Sequence, residues 1–258
     1  MAAVPEPVHT VAARGFGSAA GAYRRGRPGY PAEAVAHVAA ALGIGEGASV
    51  LDLGAGTGKL TEAIAATGAR VVAVEPVQAM REQLGQTLPG VEAIDGTADA
   101  IPLAPAAVDA VTVGQAFHWF ATRAALGEIH RVLRPGGGLA LLWNRLDESA
   151  DWAGEVAEVV RARAHGAPSH WTGEWRSAFD GAPFSELEHR RFPNAHATDL
   201  HGLRDRFASV SYVASMDRRD RERLLDRVEE IARPRAAADG ALVVPYRTDV
   251  WIARALPA

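Results

Sequence analysis

The segment that most restricts the fold of this chain is Asp52-Leu-Gly54-Ala-Gly56-Thr-Gly58-Lys59. It follows directly on the apolar run Ser49–Leu53 and passes straight into a helical pattern over Lys59–Thr67. Glycines at such a junction let the main chain turn tightly and let a ligand approach the backbone. The first turn of the following helix offers unpaired N–H groups. A structural turn alone needs neither this many glycines nor an acid in front of them.

Around this loop the chain alternates strand and helix signals. Arg70–Glu75, Val108–Val113 and Gly138–Trp143 are further short apolar runs, separated by helical patterns at Val77–Leu88 and Thr122–Leu133. Such alternation implies βαβ units and a parallel sheet, with ligands beyond the carboxyl ends of the strands. Pro31–Leu42 reads as a helix opened by proline. After Trp143 the alternation stops. Strands are expected at Leu187–Phe192 and Val243–Ala253, with helices near Leu200–Ser209 and Asp217–Arg233. We therefore expect an arm or lid over 1–30, a Rossmann-like core over 31–143, a helical insertion or substrate cap over 144–186, and elements completing the sheet over 187–258.

The glycine spacing separates three ligand classes. A phosphate loop needs G-x-x-x-x-G-K-[ST], but Leu53 stands at the first glycine position and Leu60 follows the lysine. A dinucleotide fingerprint needs G-x-G-x-x-G, and here Lys59 takes the third place. Asp52 would also repel a pyrophosphate, whereas it suits a ligand with an ammonium group. The loop thus favours a nucleoside with an ammonium-bearing tail, S-adenosylmethionine (SAM). Glu75, at the end of the second strand, suits the ribose hydroxyls, or else the N-terminal end of the helix that Pro76 opens.

Four blocks together resemble the class I SAM-dependent methyltransferases of the type 11 kind. They are the Asp52–Gly58 loop, Val74-Glu75-Pro76 with Met80, Gly96-Thr97-Ala98-Asp99 through Pro102, and Arg131 through Gly137. The resemblance implies a seven-stranded, mostly parallel sheet with helices on both faces and the last strand antiparallel. It implies cofactor contacts from Asp52, Gly54, Ala55 and Gly56 to the methionine part, and from Glu75 to the ribose. Thr97, Ala98 and Asp99 lie at the adenine position, Asp99 having a helix cap as its other reading; Pro76, Met80 and Gln115 complete the cofactor set. A narrower likeness lies in Gly114 to Phe120 and in the arm from Phe16 to Pro31. These resemble the small-molecule branch that includes trans-aconitate methyltransferases.

On the acceptor side, His118 follows the fourth strand, where the methyl group should face, and is the candidate general base. Trp119, Asn144 and Arg145, with Tyr23 and Arg27 of the arm, are candidate substrate contacts. The expected activity is methyl transfer to oxygen or nitrogen of a small-molecule acceptor. A nicotinamide-dependent oxidoreductase and a non-catalytic SAM-binding protein are the rivals. No metal is expected: His165 with His170, and His196 with His201 and Asp199, lack a zinc spacing. The chain contains no cysteine, which excludes thiolate chemistry. A net charge of −4 argues against nucleic acid. No apolar run is long enough for a membrane span, and Met1–Thr10 carries two prolines and an acid rather than an apolar signal region, so a cytoplasmic protein is expected; a monomer or homodimer is the expected state.

Overall fold

The computed structural model describes residues 26–164 and 168–257. In chain order the elements are α1 (Ala32–Leu42), β1 (Ser49–Leu53), α2 (Lys59–Ala65), β2 (Arg70–Val74), α3 (Gln78–Thr87), β3 (Glu92–Ile94) and β4 (Val108–Gly114). They continue with α4 (Arg123–Val132), β5 (Leu133–Leu146), α5 (Asp151–Arg161), β6 (Glu188–Asp199), α6 (Leu200–Ala208), α7 (Ser211–Ala214), α8 (Arg218–Ala232) and β7 (Ala241–Arg254). Single 3-10 turns lie at Phe117–Trp119, Glu174–Phe179 and Arg233–Arg235.

All seven strands form one sheet in the order β3-β2-β1-β4-β5-β7-β6. The pairs from β3 to β5 are parallel, and β7 is antiparallel to both β5 and β6. Strand order reverses between β1 and β4, and a crevice opens there beyond the strand ends. β1 is buried throughout, as a strand covered on both faces must be. Val50 packs with Val35 and Val38 of α1 and Ile64 of α2 on one face. Leu51 and Leu53 pack with Leu126 and Ile129 of α4 on the other. A third apolar cluster joins α5, α6 and α8 to Leu242, Val244 and Tyr246 of β7.

Several boundaries differ from expectation for identifiable reasons. Pro76 does not open a helix: α3 starts at Gln78, with Val77 as its cap, because Glu75 accepts the Val77 N–H and holds the chain extended there. β5 runs to Leu146, three residues beyond the expected core boundary, because β7 pairs with it to Tyr246. β6 passes through Pro193 and reaches Asp199; as the edge strand it needs no donor on its outer side. Residues 144–186 contribute α5 and the 3-10 turn at Glu174–Phe179. Tyr23 and nearly all of the expected arm lie outside the described residues, as does His165.

Candidate active site

The glycine loop turns at the end of β1 with Gly54, Gly56 and Gly58 all in the left-handed region, at φ of 68°, 58° and 85°. Side chains there would be strained. Two of the glycines are also closely covered: a Cβ on Gly54 would lie 2.9 Å from Ala116 Cβ, and one on Gly58 would lie 3.0 Å from Leu84 Cγ. The Gly54 and Ala55 N–H groups donate to the Val74 carbonyl, binding the loop to the end of β2. Met80 is buried behind Gly56.

Two carboxylates lie beneath this turn. Asp52 is fully buried, and its oxygens accept from the Thr61 hydroxyl at 2.6 Å and the Thr112 hydroxyl at 3.3 Å. Burial pushes its carboxyl up to about 6, against the opposing effect of the two hydroxyls. Glu75 is also buried and raised by burial. Its two oxygens accept from the Gly56 N–H and the Val77 N–H, each at 2.9 Å. A carboxylate has about four acceptor positions, so Glu75 keeps capacity for two hydroxyl groups. Further along the crevice, Ala98 is buried, whereas Thr97 and Asp99 are exposed in a turn. Asp99 caps no helix: Thr122 caps α4, and its hydroxyl donates to Asp99 at 3.3 Å.

A small cavity of about 40 Å³ lies over the loop, bounded by Asp52, Gly54, Ala55 and Gly56 below and by Arg27, Pro28 and Tyr30 above. A larger cavity of about 140 Å³ lies beyond it, lined by His118, Trp119, Asn144, Arg145 and His170, and by residues of α5 to α7. Arg27 and Gln115 border both. Gln115 adopts φ of 60°, rare for a residue with a side chain. Its N–H donates to the Leu142 carbonyl at 2.8 Å and its amide to the Asn144 carbonyl at 3.1 Å, which offset that strain.

His118 is almost enclosed. Burial, then the Arg27 charge, pulls its imidazole down to about 3. The Trp143 indole N–H donates to Nδ1 at 3.3 Å, so the neutral ring carries its proton on Nε2. His170 is likewise held well below its usual value by burial, and its ring stacks on Trp143. Asn144 acts as a strut. Its amide donates to the Gly29 carbonyl, and its Oδ1 accepts from Asn194 at 3.0 Å and Thr248 at 2.5 Å. Arg27 reaches across to the Ser209 carbonyl at 3.0 Å. Arg145 pairs with Asp249 at 3.6 Å.

The structure thus brings together Asp52, Gly54, Ala55, Gly56, Glu75 and Met80 around the loop. It brings Arg27, Gln115, His118, Trp119, Asn144 and Arg145 to the neighbouring cavity. Among the described residues there is no group of three or more metal-ligating side chains. The sequence reading missed Arg206 and Tyr212 and treated His170 only as a metal candidate. One signal was available: Leu203, Arg206, Phe207 and Val210 follow the spacing of a buried helical stripe, which places an arginine among inward-facing residues.

Comparison with known proteins gives the family. A family described as "Methyltransferase domain" matches residues 51–141. The chain is 39% identical over 235 residues to the uncharacterised methyltransferase Rv3342 of Mycobacterium tuberculosis, covering 90% of this chain and 92% of that protein. It is 32% identical over 239 residues to the methyltransferase-like protein C25B8.10 of Schizosaccharomyces pombe, covering 92% and 93%. A structure described as a type II methyltransferase from Anaeromyxobacter dehalogenans superposes with a TM-score of 0.63 at 26% identity, over 90% of this chain and 99% of that one. The fold is also that of phosphoethanolamine N-methyltransferase 2 from Haemonchus contortus, solved with S-adenosylhomocysteine. That comparison has a TM-score of 0.55 at 17% identity over 92% of this chain and 57% of the other. The chain belongs to the class I SAM-dependent methyltransferases. The descriptions of these relatives do not extend to the trans-aconitate branch.

Proposed function

We propose that this chain uses SAM to methylate oxygen or nitrogen of a small metabolite held in the larger cavity. The observation that carries this reading is the shared border: Gln115 and Arg27 lie between the glycine cradle, with its buried Asp52, and a neighbouring cavity of about 140 Å³. The residues present fit the cofactor. The buried Asp52 carboxylate gains from a nearby ammonium, Glu75 retains acceptor capacity for ribose hydroxyls, and Ala98 offers an apolar contact beside Asp99 for adenine. The S-adenosylhomocysteine in the Haemonchus contortus enzyme supports the same assignment.

When bound, SAM supplies an electrophilic methyl group on a sulfonium. The chain's contribution is mainly positional. Gln115 and Arg27 set the distance between the two ligands, and Trp119 and Trp143 keep water away. We assign His118 the role of a hydrogen-bond donor through Nε2–H that orients the acceptor, because protonating Nδ1 opposes both burial and the Trp143 contact. An acceptor that arrives deprotonated, or attacks as a neutral amine, needs no base at this step. The test is calorimetry with S-adenosylhomocysteine, followed by methyl transfer from labelled SAM to a panel of small acceptors. Failure of S-adenosylhomocysteine to bind the folded protein overturns the reading.

A further inference from the structure

The larger cavity holds an imbalance of charge. Arg27, Arg145, Arg161 and Arg206 line it, and among the described residues Glu148 is the only acid that does. Glu148 is already engaged, with Arg161 at 2.5 Å and Arg145 at 3.9 Å. Arg145 also pairs with Asp249, and Arg27 is bonded to Ser209. Arg206 differs from these. Its Nε and Nη1 are shut off from solvent and make no hydrogen bond among the described residues; its guanidinium lies over the Phe207 ring at 5.4 Å. By contrast, Arg204 on the same helix faces outward and pairs with Glu222, Asp226 and Glu229.

Guanidinium donors shut off from water and left unused are unfavourable unless an acceptor arrives, best of all an anion. Folding alone gives no reason to keep them on the apolar stripe of α6, where leucine or methionine would pack. A guanidinium is also the side chain best shaped for a planar or tetrahedral oxyanion. The other polar groups around the cavity match such a ligand: His118 presents Nε2–H, and the Tyr212 hydroxyl stays protonated because burial raises it.

We propose that the acceptor carries a carboxylate or phosphate group and that Arg206 is the specificity residue that binds it. This rests on the methyltransferase reading and names the substrate class of the same cavity. The anionic group is an anchor, which leaves the rest of the acceptor to present its reacting atom toward Gln115.

The experiment uses the full chain saturated with S-adenosylhomocysteine. That complex is titrated by calorimetry with succinate, with succinamide as its uncharged analogue, and with inorganic phosphate. At least one anion should bind, succinate and phosphate distinguishing the two anchor chemistries, and succinamide should bind at least tenfold more weakly than succinate. Arg206→Met should weaken the anion at least tenfold and leave S-adenosylhomocysteine affinity within about twofold; Arg206→Lys should recover part of the loss. The melting temperature of ligand-free Arg206→Met should be unchanged or higher by about 2–4 °C, because unused buried donors are removed. A structural arginine would give a clear fall instead. Equal binding of succinate and succinamide, no binding of either anion, or anion binding indifferent to Arg206→Met overturns the proposal. Loss of S-adenosylhomocysteine binding in the wild type overturns the underlying reading instead, so the two failures are distinguishable.

Discussion

Under the proposed function Glu75 and His118 each combine a structural and a functional role, and suitable substitutions separate the two. Glu75 holds the Gly56 and Val77 N–H groups with the same carboxylate that the proposed ribose contact would use. Glu75→Ala therefore loosens the loop, whereas Glu75→Gln keeps its shape and removes the charge. A hydrogen bond to a charged group contributes about 1.5–3 kcal/mol. Glu75→Gln should weaken S-adenosylhomocysteine by roughly 10- to 100-fold at nearly unchanged melting temperature, and Glu75→Ala should lower both. Calorimetry and thermal melting check this. For His118, a donor role and a base role give opposite results with one variant. Glutamine places an N–H near the Nε2 position and cannot act as a base. His118→Gln should keep kcat within about tenfold, while His118→Phe should raise KM. A fall of about 10²–10⁴ in kcat for both variants would restore the general base.

Among the elements, the contact of Gly29 with β5 and β6 governs how the segment 27–30 sits over the loop. Asn144 and Asn194 both donate to the Gly29 carbonyl at 3.0 Å. Asn144→Ala leaves the Thr248 hydroxyl and Asn194 without their shared acceptor, a loss of about 1–3 kcal/mol for buried groups. The melting temperature should fall by several degrees, and amide exchange at Gly29 and Tyr30 should rise; unchanged exchange would show that Asn144 does not hold this segment. How far such elements can be read from sequence depends on burial. β1, β2 and β4 announce themselves as apolar runs because a parallel strand covered on both faces must be apolar. β3 escapes notice: it has three residues, Glu92–Ile94, none of them fully buried. The second half of β6 is hidden for another reason, whereas β7 was legible through its own proline. Pro193 interrupts β6, yet it stands on an edge strand, and Pro245 of β7 stands beyond the end of β5, where no ladder donor is needed. The loop residues were legible because their chemistry is local. Arg206 is harder to pick out among so many arginines, since only its helical spacing with Leu203, Phe207 and Val210 marks it as inward-facing.

At the scale of the whole molecule, the buried carboxylates couple stability and binding to pH. Asp52 has a folded value near 6, above its ordinary 3.8, and Glu75 shifts in the same direction. The folded state therefore holds these protons more tightly than the unfolded one. Their contribution is fully present below the unfolded values and is lost as pH rises through the folded ones, which for Asp52 is about 6. Asp52→Asn should remove much of this dependence, stabilising the ligand-free protein at pH near 8 by up to about 3 kcal/mol. An ammonium-bearing ligand favours the ionised carboxyl, so affinity for S-adenosylhomocysteine should fall as pH drops below about 6, and Asp52→Asn should flatten that fall. Melting and calorimetry across pH 5 to 8 check both signs; a pH-independent affinity in the wild type would exclude Asp52 as the coupled group. The common border of the two cavities has a different consequence, for inheritance. Apart from Arg27 and Gln115, the loop cavity draws on residues 28–60 and Gly114, whereas most of the acceptor wall comes from residues 144–212. On the proposed function, cofactor recognition and acceptor choice are thus written in largely separate stretches of the gene, joined at two side chains. Exchanging the later stretch between relatives should transplant a substrate preference intact, provided an arginine and a glutamine still meet at the seam.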